Sequence, residues 1–328
     1  MSVLLGFLEP AEAGQDCPHT FPSKVGGKPA WLDLANLPSS SALRCEKCQS
    51  PLSFLLQLYA PLPDPEAFHR TLMVFACQSC GSQIRCFRYQ LPQVNAFWAE
   101  PVDESNSEAL QRYAALVDPR VCAICGVPCD ERPMIEEEGA SILGVREHSR
   151  CAKAKKWGLM TACFPVRMIE VEEESEAKDE EEDFSHEAKL LQAYQEELQK
   201  ENPDIVDDEG AAEFETNVTG RFKKDPVLSY FLKRTAPAND QVVRYDLNGD
   251  PLWLYSDQQA TEVPNCPCGA PRRFEFQVMP GLLSQMPALE RLDFAVLAVY
   301  SCSVNCAVSC EAYVHVQPDF TTQTTLPQ

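Results

Sequence analysis

Sixteen cysteines in 328 residues are the side chains here with chemistry to offer, and most fall in short pairs. Cys45 and Cys48, Cys77 and Cys80, and Cys122 and Cys125 are C-x-x-C; His148 and Cys151 are H-x-x-C; Cys266 and Cys268 are C-x-C; Cys302 and Cys306 are C-x3-C. Thiols this close in sequence are poorly placed to bridge separate segments but well placed to grip one ion. Zn2+ takes four tetrahedral ligands, with sulfur at about 2.3 Å, and two separated pairs supply all four. The order of pairs gives three sites: Cys45, Cys48, Cys77 and Cys80; Cys122, Cys125, His148 and Cys151; Cys266, Cys268, Cys302 and Cys306. Cys129 is near enough to replace a ligand of the second, and Cys310 competes with Cys306 in the third. Cys17, Cys86 and Cys163 have no partner pattern and read as buried inert thiols.

Four protein ligands leave no position for water, so about three structural Zn2+ per chain are expected, none catalytic. No Walker-type lysine loop, nucleophile elbow or H-E-x-x-H helix is present, and His69 stands alone in AFHRTL. An enzyme is not expected.

The elements that must position these ligands are short strands. Leu52 to Tyr59, Leu72 to Cys77 and Ile84 to Gln90 carry aromatic and branched residues between proline-rich breaks, as do Pro251 to Tyr255, Arg273 to Val278, Phe294 to Ser301 and Glu311 to Val316. Helical spacing marks Glu108 to Val117, and Asp225 before Pro226 reads as an N-cap opening a helix with Leu228, Phe231 and Leu232 on one face. Part of this pattern occurs twice. Aligning Cys48 with Cys268 places Pro51 over Pro271, Phe54 over Phe274 and Gln57 over Gln277; further on, Val74-Phe75 lies over Val299-Tyr300 and Cys77 over Cys302. A knuckle, a strand, a loop, a strand and a second knuckle in the same order predict a duplicated unit.

Charge is distributed unevenly. The formal net charge is −21, and between Glu170 and Glu215 there are 20 acidic residues against 3 lysines, a net −17. The block from Val171 to Asp183 repels itself and predicts a disordered insert, followed by an amphipathic helix through Leu190, Leu191, Tyr194 and Leu198. Zinc modules that bind nucleic acid need a basic face, and here only the small spots AKAKKW, KRTAP and RR are basic, so direct nucleic-acid binding is not expected. The acidic run reads either as a solvated linker or as an attractor for a strongly basic protein. No apolar stretch reaches the eighteen or more residues of a membrane span, and the opening MSVLLGFLEPAEAG lacks a basic flank, so a soluble intracellular chain is expected.

FPSKVGGKPAWL, the CEKC and CQSC pairs around PLSFLLQLYAPL, then DQVVRY, PLWL, CPCGAPRRFEFQVMPGLL and VLAVYSCSVNC closely resemble the programmed cell death protein 2 family, including its 2-like branch. The likeness covers nearly the whole chain apart from the acidic middle. Many members carry a MYND zinc finger near the middle; here the further cysteines expected after Cys125 are missing, and only His148 and Cys151 resemble its end. The resemblance implies a dedicated chaperone that binds the newly made, basic small-subunit ribosomal protein S-two during translation and supports 40S subunit production. It also implies shuttling through the nucleus, for which Leu190, Leu191, Tyr194 and Leu198 are either an export signal or a packing face. An adaptor in transcriptional or proliferation control is the alternative.

The expected fold is therefore α+β, mainly β: two related zinc-stabilised antiparallel sheet units packed on each other, with an acidic disordered insert. The expected domains are 1–165, a linker at 166–224 and 225–328. The expected protein is a cytoplasmic monomer, with a client held along a strand edge or groove near Trp31, Phe54, Tyr59, Phe274 and Phe276.

Overall fold

The computed structural model describes residues 2–98, 107–132, 134–137, 140–157, 163–175, 225–307 and 311–319. The strands in chain order are β1 (Leu4–Pro10), β2 (Lys24–Val25), β3 (Ser53–Tyr59), β4 (His69–Ala76), β5 (Ile84–Leu91), β6 (Met134–Glu137), β7 (Ala140–Leu143), β8 (Arg167–Glu173), β9 (Val243–Tyr245), β10 (Arg272–Val278), β11 (Val296–Cys302) and β12 (Glu311–Gln317). The helices are α1 (Ser107–Val117), α2 (Ser149–Trp157), α3 (Pro226–Thr235) and α4 (Gly281–Gln285).

Ten strands close into an antiparallel barrel in the order β1-β8-β2-β3-β4-β5-β12-β11-β10-β9, and β9 pairs back onto β1. The protein is thus mainly β, but the two expected sheets are not separate: one barrel contains both. The closure depends on short elements that the sequence does not announce. β2 has two residues and β9 three, while β8 is the front of the acidic run and alternates carboxylates with apolar residues. A closed barrel has no edge strand, so its strands offer no site for strand addition. The expected strand Pro251 to Tyr255 is irregular instead, because the amide of Gln277 takes both backbone groups of Leu252: the Leu252 N–H donates to Gln277 Oε1 at 2.6 Å, and Gln277 Nε2 donates to Leu252 O at 2.8 Å.

Strand alternation sends one row of each strand inward. Leu56, Leu72, Val74, Cys86, Phe276, Val278, Leu297 and Val299 belong to a single interior cluster. The opposite row of β3, β4 and β5 is also buried, Phe54, Met73, Phe75, Phe87 and Tyr89 packing in a second cluster with Trp31, Trp98 and residues 117–129. Inside the barrel, Arg70 forms a fully buried ion pair with Glu275, Nη2 to Oε2 being 2.7 Å, and the Tyr245 hydroxyl donates to Glu275 Oε1 at 3.1 Å. Burial alone would push the Glu275 carboxyl up, but the adjacent Arg70 guanidinium holds it below its ordinary value.

Two sets of five strands match in register. β3 pairs β4 with Phe54 opposite Phe75, then skips a residue so that Leu56 faces Val74; β10 pairs β11 with Phe274 opposite Tyr300, then skips a residue so that Phe276 faces Val299. Lys24 faces Gln57 as Arg244 faces Gln277. The outer strands follow, with β5 answering to β12 and β8 to β1. Because successive neighbours are antiparallel, corresponding strands point in opposite directions along the barrel, so corresponding loops lie at opposite ends.

The residues divide into two compact units, one comprising Met1–Glu174, Asp240–Leu252 and Ala260–Gln328, the other Ser175–Asn239 and Trp253–Gln259. The first holds the barrel, whose strands come from both regions expected as N- and C-terminal domains and, with β8, from the start of the expected linker; residues 225–239 and 253–259 fall in the second. In the second, Asp225 caps α3 as its sequence predicts, accepting from Val227 N at 2.8 Å. The expected disordered insert and the helix through Leu190 to Leu198 lie outside the described residues. Among the described residues, no helix is long and apolar enough to cross a membrane.

Candidate metal centres

The same backbone turn builds each C-x-x-C half-site. The residue after the second cysteine adopts a left-handed conformation and donates its N–H to the carbonyl of the first: Gln49 to Cys45, Gly81 to Cys77 and Gly126 to Cys122, all at 2.8 Å. In the C-x-C pair, Gly269 donates to Cys266 at 2.8 Å in the same way. Left-handed backbone favours glycine. Three of the four positions have it, and Gln49 is the exception. At Gly81 there is a second reason, since a Cβ there would stand 2.1 Å from the Arg291 carbonyl oxygen.

These turns, at strand ends in the first and third groups and in the loop after α1 in the second, bring the ligand atoms together in the three groups that the spacing predicts, each within 4.8 Å of one another. In the first, Sγ separations are 3.6 Å for Cys45 and Cys80, 3.4 Å for Cys48 and Cys77, and 3.4 Å for Cys77 and Cys80. In the third, Cys266 and Cys306 are 3.5 Å apart and Cys268 and Cys302 3.7 Å. A tetrahedron with metal–sulfur bonds of about 2.3 Å has edges of about 3.8 Å, so these separations fit one ion per group. In the second, His148 turns Nδ1 toward the thiols, 3.4 Å from Cys125 Sγ and 3.9 Å from Cys151 Sγ, while its Nε2 lies 3.2 Å from Pro128 O. That carbonyl fixes the ring and leaves Nδ1 as the ligand, the usual arrangement around a metal-bound histidine. α2 supplies Cys151 from its first turn, and Glu131 holds the helix N-terminus by accepting from Ser149 N and Oγ at 2.7 Å.

The electrostatics also fit a cation. Hydrogen bonds from Ser82 bring the Cys80 thiol down to about 6, whereas burial pushes Cys77, 3.4 Å away, up to about 12. Four neighbouring thiols cannot all ionise unaided, and a divalent ion removes the conflict. All four ligands in each group come from the protein, so the chemistry on offer is structural cross-linking.

Cys129 is buried apart from the second group, its Sγ 3.7 Å from Glu131 O, and Cys310 lies outside the described residues. Cys86 is a core side chain of the barrel. His69 opens β4, its Nδ1 3.0 Å from the Tyr59 hydroxyl. Of the five residues expected to meet a client, Trp31, Phe54, Phe274 and Phe276 are interior, at 0–4% exposed. Trp31 stacks near Phe75 and donates from Nε1 to Gly126 O at 3.0 Å, tying the N-terminal segment to the second metal group. Only Tyr59 is partly exposed.

Arg70 and Glu275 carry no signal in the sequence, and neither does the role of Gln57 and Gln277. The glutamines themselves carry one, being identical in the aligned phrases. Each is fully buried and serves the backbone of an upstream loop: Ala30 N–H donates to Gln57 Oε1 at 2.9 Å and Gln57 Nε2 to Pro22 O at 2.7 Å, as Gln277 does at Leu252.

Comparison with known proteins adds two family models: "Programmed cell death protein 2, N-terminal domain" matches residues 2–104, and "Programmed cell death protein 2, C-terminal putative domain" matches residues 225–321. The chain is 35% identical to programmed cell death protein 2 of Mus musculus over 93% of this chain and 92% of that protein, and 34% identical to that of Rattus norvegicus over 94% and 93%. Programmed cell death protein 2-like of Mus musculus is 29% identical over 93% and 91%. No solved structure matches the chain.

Proposed function

The chain belongs to the programmed cell death protein 2 family, and from that premise we propose that it is a non-enzymatic chaperone for one basic client, the small-subunit ribosomal protein S-two, bound as it is made. The observation that carries this reading is the net −17 concentrated between Glu170 and Glu215, which begins on barrel strand β8. A rigid body with an attached polyanion speeds the encounter with a cationic chain and masks charges that would otherwise hold RNA. The three ligand groups each take Zn2+, which suits a tetrahedral set of four sulfurs or of three sulfurs and one imidazole nitrogen; the first and third act by stapling strand ends and the second by tying a loop to the start of α2. The matched registers, bulges and knuckles reflect duplication of one five-strand unit. The protein works in the cytoplasm as a monomer, supports 40S assembly and passes through the nucleus by way of the export machinery.

Affinity capture of the full chain after brief translational labelling tests the proposal. A single nascent species, S-two, is expected, and its yield should fall when the acidic residues from 176 to 183 are neutralised. Capture of mature complexes without nascent S-two would instead indicate an adaptor. Salt-sensitive binding of isolated RNA would also contradict the proposal.

A further inference from the structure

At the end of the barrel where β3, β8 and β9 finish and β1 begins, a cavity of about 270 Å³ opens among Leu4, Leu58, Leu62, Ile169, Val171 and Tyr245. Its walls are apolar, and polar groups beside it are engaged: Ser23 Oγ accepts from Tyr59 N at 3.0 Å, and the Tyr245 hydroxyl donates to Glu275. The register match says what belongs in such a place. At the opposite end, the corresponding connection between β10 and β11 runs for 17 residues and puts Leu282, Met286, Leu289, Leu292 and Phe294 into the barrel core. Here the connection between β3 and β4 has only nine, with prolines at 61, 63 and 65, and the cavity stands where the longer connection has its apolar filling.

Acidic residues cluster on the strand beside the cavity. Val171 is 49% exposed, and Glu170, Glu172 and Glu173 around it are exposed, at the start of the run with net −17. An apolar hollow beside an acidic strand end selects an apolar side chain flanked by cations.

We propose that this cavity is a docking site for a partner segment that inserts one or two apolar side chains between lysines or arginines. The segment takes the place that the chain's own Leu282 to Phe294 fills at the other end. This deepens the reading of a basic client by giving it a seat, and it replaces the expected strand addition with side-chain insertion. Tyr59, on the cavity wall, is the one expected client residue that remains in it.

The test uses the full chain and a fluorescent probe peptide with adjacent leucines between lysine triplets, followed by anisotropy. Replacing the leucines by serine, or the lysines by glutamate, should each weaken binding about tenfold or more, as burial of two leucines and loss of charge attraction require. Val171→Asp should do the same, while Val94→Asp, on a side chain 90% exposed and away from the cavity, should not. Binding indifferent to the leucines or to Val171→Asp would overturn the proposal, leaving attraction to the acidic run alone. Tighter binding after Leu190, Leu191 and Leu198 are changed to serine would make the chain's own segment the occupant, and a dimer dissociated by Val171→Asp would make it a second copy; either result overturns the proposal. The probe shares no sequence with S-two, so a failed nascent-chain capture leaves this measurement intact, and the reverse holds.

Discussion

The two five-strand halves of the barrel agree in strand order, register, bulge position, knuckle turn and buried glutamine, yet they are finished differently. The half built on β3 to β5 buries its outer face under a second apolar cluster and the Cys122 metal group; its β3–β4 connection is short, and Leu55 occupies the bulge. The half built on β10 to β12 has Glu275 at the bulge and a long connection that fills its barrel end. What repeats is what backbone geometry allows only one way: a left-handed residue after a ligand, an amide serving an irregular loop. What differs is what meets solvent, fills the interior or receives another chain. The ends are also interlocked. Arg291 of the long connection donates to Ser79 O in the Cys77–Cys80 knuckle at 3.1 Å, and Asn305 in the corresponding Cys302–Cys306 knuckle donates to Asp64 of the short connection at 3.3 Å.

If the halves are equivalent, breaking either should hurt equally. Cys77→Ala and Cys302→Ala should each cost about 4–5 kcal/mol or more, read from denaturant unfolding, because an ion and its staple go together. A marked inequality would show that one half depends on its metal and the other does not. Next in size is the link between halves. Arg70→Ala or Glu275→Ala should cost about 3–5 kcal/mol by leaving a buried charge unpaired, and the Arg70→Ala, Glu275→Ala double variant should cost much less than the two singles summed. Equal costs with no coupling would remove the ion pair as the connection.

The same pair sets an acid limb. Its carboxyl is held below the usual range, so its contribution is present above about pH 4.3 and is lost as pH falls through the folded value. Between about pH 5 and 3 the unfolding free energy of the parent should fall more steeply than that of Glu275→Gln. Smaller still, Gln57→Ala and Gln277→Ala should each cost about 1–3 kcal/mol, since each strips partners from buried backbone groups. The smallest change runs the other way: Gln49→Gly should stabilise by about 0.5–1 kcal/mol, relieving the one non-glycine among the four C-x-x-C and C-x-C turns, and Gly269→Ala should destabilise to a similar extent.

The ligand groups were legible in the sequence because metal ligands must cluster at fixed short spacings, and Cys48 and Cys268 could be aligned for the same reason. Strands β3, β4, β5, β10, β11 and β12 were legible from their apolar, aromatic runs. Closure was not. β2 and β9 are too short to show a period, and β8 hides its Ile169 and Val171 among glutamates, so the strands that turn two sheets into one barrel carried no signal. Arg70 looks like a surface residue beside His69 in the sequence, and only the long-range pairing of β4's half with β10's places it against Glu275. Trp31, Phe54, Phe274 and Phe276 suit a client surface by residue type, but a closed barrel with a covered outer face leaves aromatics of that kind inside.

Metal analysis of the full chain by native mass spectrometry is the most direct test of whether each half is held by its own ion. The account predicts three zinc ions per chain, falling to two in Cys48→Ser, in Cys268→Ser and in Cys151→Ser. A chain that folds with no bound transition metal, or one that loses all its ions together from a single substitution, would contradict it.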